Sequence, residues 1–153
     1  GVQNKQDGKP ILNFSIMAIL AGIILTHIPT QSDIQRQIAQ TYPQDAVAYL
    51  KTNKLDGHLM NDFSWGGYLE WTDPSLPVFI DTRADVFDQW GVLKDYLDAT
   101  SIKQSVEILD KYHIRYVLFP KEAPIVYLLT HTQDWTMKYK DANSILLQRK
   151  QPY

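Results

Sequence analysis

No Asp, Glu, Lys or Arg occurs from Pro10 through Ser32, and this charge-free window limits the chain more than any other feature. Inside it, Ile11 to Ile28 reads ILNFSIMAILAGIILTHI, with only Asn13, Ser15, Thr26 and His27 polar and those near the two ends. As a helix such a run spans about 27 Å, close to a bilayer core of about 30 Å. Lys5 and Lys9 precede it, and Asp33 is the first charge after it. The positive-inside tendency then leaves the N-terminus in the cytoplasm and everything after Ile28 on the extracytoplasmic side of the cell membrane. The length also suits a buried core helix or a homodimer seam, which stays open at this point. A cleaved signal peptide fits less well, because no small-x-small cleavage site follows and no initiating Met precedes. Gly1 in place of Met points to a tag remnant or to a cut from a longer chain, and the expectation is a fragment. The expected organisation is a final transmembrane helix with its flanks over residues 1–31, then a soluble domain over 32–153.

The rest of the composition excludes several function classes. At 153 residues the chain is long enough for one sizeable core without a disulfide or metal staple. It has no Cys, which removes disulfide scaffolds, thiol nucleophiles and thiolate zinc sites. A net charge of −2 argues against a nucleic-acid partner bound through phosphate neutralisation. Four Trp and nine Tyr suit a packed domain.

Beyond the apolar run the pattern alternates. Ser32 and Gln35 have capping-box spacing and open a short helix to about Gln40. Pro43 opens another, which Gly57 stops. His58 to Asp62 reads as a strand, and Tyr68 to Trp71 as either helix or loop. Val78-Phe79-Ile80 reads as a second strand, and one short helix lies within Val86 to Leu97. Ser101 and Gln104 repeat the capping-box spacing, opening a helix to about Tyr112. A third strand, Tyr116 to Phe119, stops at Pro120, and a helix from Ala123 to Leu129 follows. Two strands, Trp135 to Tyr139 and Ile145 to Gln148, close the chain around Asp141-Ala142-Asn143. The expected fold is α/β and three-layered, with a partly parallel mixed sheet and a C-terminal antiparallel hairpin at an edge.

Chemistry-bearing motifs are sparse. The chain has no G-x-S-x-G, no phosphate-cradling G-x-x-x-x-G-K-[ST] and no H-E-x-x-H, and His27, His58, His113 and His131 are isolated. No catalytic residue, metal set or cofactor is assigned. One cluster stands out. Asn61-Asp62 closes the first strand and Asp81-Thr82-Arg83 the second; if those strands are parallel, both groups leave the carboxyl edge of the sheet, where open α/β folds bind ligands. Gly66-Gly67 lies between, flanked by Trp65 and Tyr68, and glycines there serve a positive φ or a close backbone approach. The plainer reading pairs Asp81 with Arg83, uses Asp62 to cap a turn, and puts Trp65 and Tyr68 in the core.

Two stretches carry a resemblance. The run Asn61-Asp62-Phe63-Ser64-Trp65-Gly66-Gly67-Tyr68-Leu69, followed by Val78-Phe79-Ile80-Asp81-Thr82-Arg83-Ala84-Asp85, resembles the C-terminal domain of a bacterial family of polytopic membrane proteins similar to GT-C glycosyltransferases of the protein mannosyltransferase kind. Leu109 to Leu118, Trp135, Tyr139-Lys140-Asp141 and Arg149 fit it as well, so the resemblance covers nearly all of 43–150. It implies a parent enzyme that takes sugar from a polyprenyl-phosphate donor, with its catalytic acid in an early loop between membrane helices and thus outside this chain. The domain itself is then a non-catalytic extracytoplasmic module. Asn61, Asp62, Trp65, Gly66, Gly67, Tyr68, Asp81, Arg83 and Asp85 become candidates for holding a sugar, a polyprenyl-phosphate sugar or an acceptor near the bilayer. The alternatives are a ligand-free structural or dimerisation module, and a small independent enzyme using Asp62 and Asp81 for acid–base chemistry.

Overall fold

The computed structural model describes residues 10–151, which fall into two compact units divided between Gln37 and Ile38. The first contains helix α1, Pro10–His27, apolar on all sides and exposed at every residue. Its polar side chains turn back onto their own helix: Ser15 donates to the Ile11 carbonyl at 2.9 Å, Thr26 to Ile23 at 2.8 Å, and the His27 ring to Ile23 at 2.8 Å. Among the described residues it is one helix long and apolar enough to cross a membrane. Helix α2, Gln31–Thr41, follows. Its capping box is Thr30 with Asp33, not the expected Ser32 with Gln35. The Asp33 carboxylate accepts from the Thr30 amide and hydroxyl, and the Asp33 amide donates back to Thr30 Oγ1 at 3.3 Å.

In the second unit, helix α3 (Gln44–Thr52) leads to strand β1 (His58–Asn61), a 3-10 turn (Phe63–Trp65) and helix α4 (Gly66–Thr72). Helices α5 (Ala84–Asp88), α6 (Val92–Thr100) and α7 (Ser105–Lys111) follow. Strand β2 (Ile114–Pro120), helix α8 (Pro124–Thr130) and strands β3 (Trp135–Lys140) and β4 (Ser144–Arg149) complete it. The sheet order is β1-β2-β4-β3, with β1 and β2 parallel and the other pairs antiparallel. This is the expected α/β fold with a mixed sheet, an edge hairpin strand and a preceding apolar helix. Strand β2 is apolar on both faces because both are covered. On one face Tyr116 and Leu118 meet Leu59, Leu146, and Ala46, Val47 and Leu50 of α3, with Trp65 and Leu69 beside them. On the other, Val117 and Phe119 meet Met60, Ile145 and Leu147 beneath Tyr96, Leu109, Ile125 and Leu129 of the helices. Two covered faces make three layers.

Four expected elements come out differently. Val78-Phe79-Ile80 is not a strand: the Phe79 amide and the Ile80 carbonyl are met by the Asn61 side chain, and the Val78 amide donates to the Leu76 carbonyl at 2.9 Å. Residues 86–97 hold parts of two helices, since Gly91 adopts φ +72 and breaks them apart. Helix α7 starts at Ser105, because α6 runs through Thr100 and the chain turns at Ile102 with φ +65, a costly conformation for a β-branched residue. Helix α3 ends at Thr52, so Gly57 does not stop it. Gly57 is instead where the chain passes β2 so closely that a Cβ would lie 2.9 Å from Arg115 Cβ.

Candidate functional site

The carboxyl end of β1 is built around Asn61, a fully buried polar side chain. Its Oδ1 accepts from the Phe79 amide at 2.8 Å and its Nδ2 donates to the Ile80 carbonyl at 2.8 Å. Nδ2 donates its second N–H to the Asp62 carbonyl at 2.9 Å, and one carboxamide thus does for residues 79–80 what a paired strand would do. Asp62 caps the 3-10 turn by accepting from the Ser64 amide at 2.9 Å and from the Ser64 hydroxyl. The Phe63 amide donates to the Tyr96 hydroxyl at 2.9 Å; burial, with the Asp62 charge beside it, raises that phenol above the ordinary range. The Trp65 ring is buried and its Nε1–H donates to the Thr41 carbonyl at 2.9 Å.

The two glycines separate in role. Gly66 begins α4 with ordinary helical dihedrals, φ −52 and ψ −51. A methyl group there would overlap the Ile80 carbonyl oxygen and stand 2.6 Å from Asp81 Cα. Gly66 is therefore a close-approach glycine that lets α4 seat on the 80–81 backbone. Gly67 has open space around its Cβ position and no positive φ. Tyr68 is half-buried and stacks on Tyr42, with ring centroids 4.7 Å apart.

Asp81 is 3% exposed. Its carboxylate accepts from the Arg83 amide at 2.8 Å, from Arg83 Nε at 2.7 Å and from Arg83 Nη2. Hydrogen bonding to Arg83 holds the carboxyl below its ordinary range against the opposing effect of burial. An acid kept ionised in this way is a poor proton donor, and Asp62 is engaged with Ser64 and not with Asp81. The pair is thus not arranged as an acid–base couple. Arg83 Nη2 reaches on to Glu70 Oε2 at 3.1 Å, and its side chain stays 62% exposed. Glu70, Asp81, Arg83, Phe87 and the Pro74–Val78 turn line a cleft of about 260 Å³. Next to Glu70 on α4, Trp71 is 80% exposed.

The structure therefore gathers Asn61, Asp62, Gly66, Asp81 and Arg83 around Ile80, with Trp65 and Tyr68 packed nearby, while Asp85 is an exposed residue in the first turn of α5. Arg83 is the sequence-predicted residue here that offers charged donors to solvent. Glu70 and Phe87 were not legible as part of the site, since their place depends on how α4 and α5 flank the Asn61-held segment. Among the described residues no three His, Asp or Glu side chains converge as a metal site.

Fold and site together define an α/β domain with helices on both faces of a mixed sheet and a polar network at one strand end. No protein-family model matches the chain, and no curated protein matches it. Among solved structures it is similar to the crystal structure of the C-terminal globular domain of an oligosaccharyltransferase from Archaeoglobus fulgidus. The TM-score is 0.54 at 10% sequence identity, covering 70% of this chain and 96% of that one. The likeness is one of fold.

Proposed function

We propose that the chain is the C-terminal part of a membrane-bound, GT-C-like glycosyltransferase: α1 crosses the membrane, and the α/β unit is a non-catalytic domain on the extracytoplasmic side. The observation that carries this reading is the fold shared with nearly the whole C-terminal globular domain of an oligosaccharyltransferase, in a chain that also has a membrane-length apolar helix. The character of α1 supports lipid as its surroundings. A homodimer seam or a core-facing helix needs one apolar stripe, whereas α1 is apolar on every side and bonds its few polar groups to its own backbone. The cleft lined by Glu70, Asp81, Arg83 and Phe87 suits a glycan or acceptor, with charged hydrogen bonds beside an aromatic side chain. The donor in this reading is a polyprenyl-phosphate sugar bound by the membrane part of the parent protein.

The chain lacks Cys, so single cysteines report topology cleanly. In cells expressing the chain, a Gln133→Cys variant is expected to react with a membrane-impermeant maleimide. A Lys5→Cys variant reacts only after permeabilisation. Equal labelling of both in intact cells, or the reverse pattern, refutes the proposed topology.

A further inference from the structure

A second surface, away from the Asp81–Arg83 network, concentrates positive charge around a groove. One part, about 190 Å³, is lined by Tyr49, Asn53, Lys54, Leu55, Lys138 and Gln148 with the Tyr116 and Leu146 side chains. It shares Lys54 and Leu55 with an adjoining cleft of about 260 Å³ that adds Lys51, Asp73 and Ser75. The combined lining has three ammonium groups and one carboxylate, in a chain whose net charge is −2. Several other lysines and arginines of the domain pair closely, Lys94 with Asp98, Lys111 with Asp95, and Arg115 with Asp56 at 2.9 Å, while Lys103, Lys140 and Lys150 stand apart from this groove's lining. Lys51, Lys54 and Lys138 have no carboxylate within ion-pair distance among the described residues. The two nearby carboxylates are already engaged. Asp73 accepts from the Ser75 amide at 3.0 Å and from its hydroxyl, and Asp56 accepts from Tyr116 while pairing with Arg115.

Lys138 and Tyr139 lie on one side of β3 because of a register irregularity. Along β3, Met137 faces Leu147 and Tyr139 faces Leu146, so Lys138 is an extra residue in the ladder. Such a bulge puts two consecutive side chains on one side of a strand, and bulges re-aim side chains near functional sites. Tyr139 packs on Tyr49, ring centroids 4.9 Å apart, and Lys138 lines the groove beside the same tyrosine. In a regular strand Lys138 would keep this side, opposite Leu146, and Tyr139 would turn to the other face, so the bulge is what adds Tyr139 beside Lys138. The Gln148 amide donates to the Tyr116 hydroxyl at 2.7 Å, leaving its carbonyl and second N–H for a ligand.

We infer that this groove binds an organic phosphate, with Lys54 and Lys138 on the phosphate oxygens, Lys51 extending the field, and Asn53, Gln148 and the Tyr49 ring contacting the attached organic group. Several separate ammonium groups around one groove match a multiply charged anion with oxygens pointing several ways. A carboxylate is met better by a single guanidinium fork. The phosphate has two sources, a soluble phosphorylated sugar or a phospholipid headgroup, and the inference holds whether or not the glycosyltransferase reading does.

The test uses the full chain, isotope-labelled, in non-ionic polyoxyethylene micelles, with amide shifts of Lys54, Leu55 and Lys138 as the readout. Inorganic phosphate, glucose 1-phosphate and glucose are titrated separately, and a second arm adds phosphatidylglycerol to the micelles. Saturable shifts with glucose 1-phosphate but not with glucose support the inference and name a soluble ligand. Shifts with phosphatidylglycerol alone support it and name a lipid headgroup. In either case a Lys54→Gln/Lys138→Gln double variant, whose side chains are exposed and whose thermal midpoint stays unchanged, binds about tenfold more weakly. Unchanged affinity in the double variant, an equal response to glucose, or no saturable response in either arm overturns it.

Discussion

Replacing Gly66 by Ala and Gly67 by Ala should shift stability in opposite directions, although the two residues are neighbours in the same helical turn. Intrinsic helix preference favours Ala over Gly by about 0.5–1 kcal/mol at either position. Gly67 has nothing within 4 Å of its Cβ position, so that gain is kept in full. At Gly66 the added methyl meets backbone: the Ile80 carbonyl oxygen, and Asp81 Cα at 2.6 Å. Neither atom can yield cheaply, since the Ile80 carbonyl is held by Asn61 and Asp81 is tied to Arg83. Overpacking costs about 1–3 kcal/mol, and displacing the Asn61 hydrogen bond adds about 1 kcal/mol. After the helix gain is subtracted, Gly66→Ala is expected to lose about 1–3.5 kcal/mol. Equilibrium urea unfolding of the full chain in non-ionic micelles, followed by tryptophan fluorescence, measures both variants; buried Trp65 lies at the junction being perturbed. If Gly66→Ala proves as stable as Gly67→Ala, the close-approach argument is wrong.

Two further outcomes follow from the same junction. Asn61→Leu keeps the volume but strips the Phe79 amide and Ile80 carbonyl of their partner, so it should cost about 2–4 kcal/mol by urea unfolding and loosen the cleft at Arg83. A loss below about 1 kcal/mol would show that water or a backbone shift replaces the carboxamide. Asp81 has a folded-state pKa below its unfolded value of about 3.9, so its stabilisation is complete above that value and is lost as pH falls through the folded pKa. The stability gap between wild type and Asp81→Asn should therefore be constant near neutral pH and shrink below about pH 4; a gap independent of pH down to acid unfolding would refute the ionised Asp81–Arg83 pair.

How much of this was legible depended on the range of the interactions involved. The strands His58–Asn61 and Ile114–Pro120, the helix beginning at Pro124 and the closing hairpin follow from apolar runs and turn residues within a few positions. Val78-Phe79-Ile80 has the composition of a strand, but strand character is set by what pairs with the backbone, and here the partner is a side chain eighteen residues upstream at its nearest contact. Positive φ at Ile102 is invisible in sequence, because a β-branched residue is the last choice for that conformation and only the packing of α6 and α7 enforces it. Likewise Asp81 with Arg83 was readable as a local i, i+2 pair, whereas the Arg83–Glu70 contact spans thirteen residues and needed α4 in place.

That the charge-free window forms a helix was decided by the sequence alone, since a helix's hydrogen bonds are local; that this helix exposes its apolar side chains is seen only in the structure. The α/β alternation was decided the same way, by the period of the apolar residues. What the tertiary structure decided is the use made of the polar ones. Asn61 and Gly66 look like ligand-site residues in a linear reading, yet one substitutes for a strand and the other makes room for it. Lys138, unremarked in the sequence, is brought beside Lys54 in one groove by the packing of α3 against β3 and β4. Those roles rest on long-range contacts and register, which no local pattern of residue types can specify.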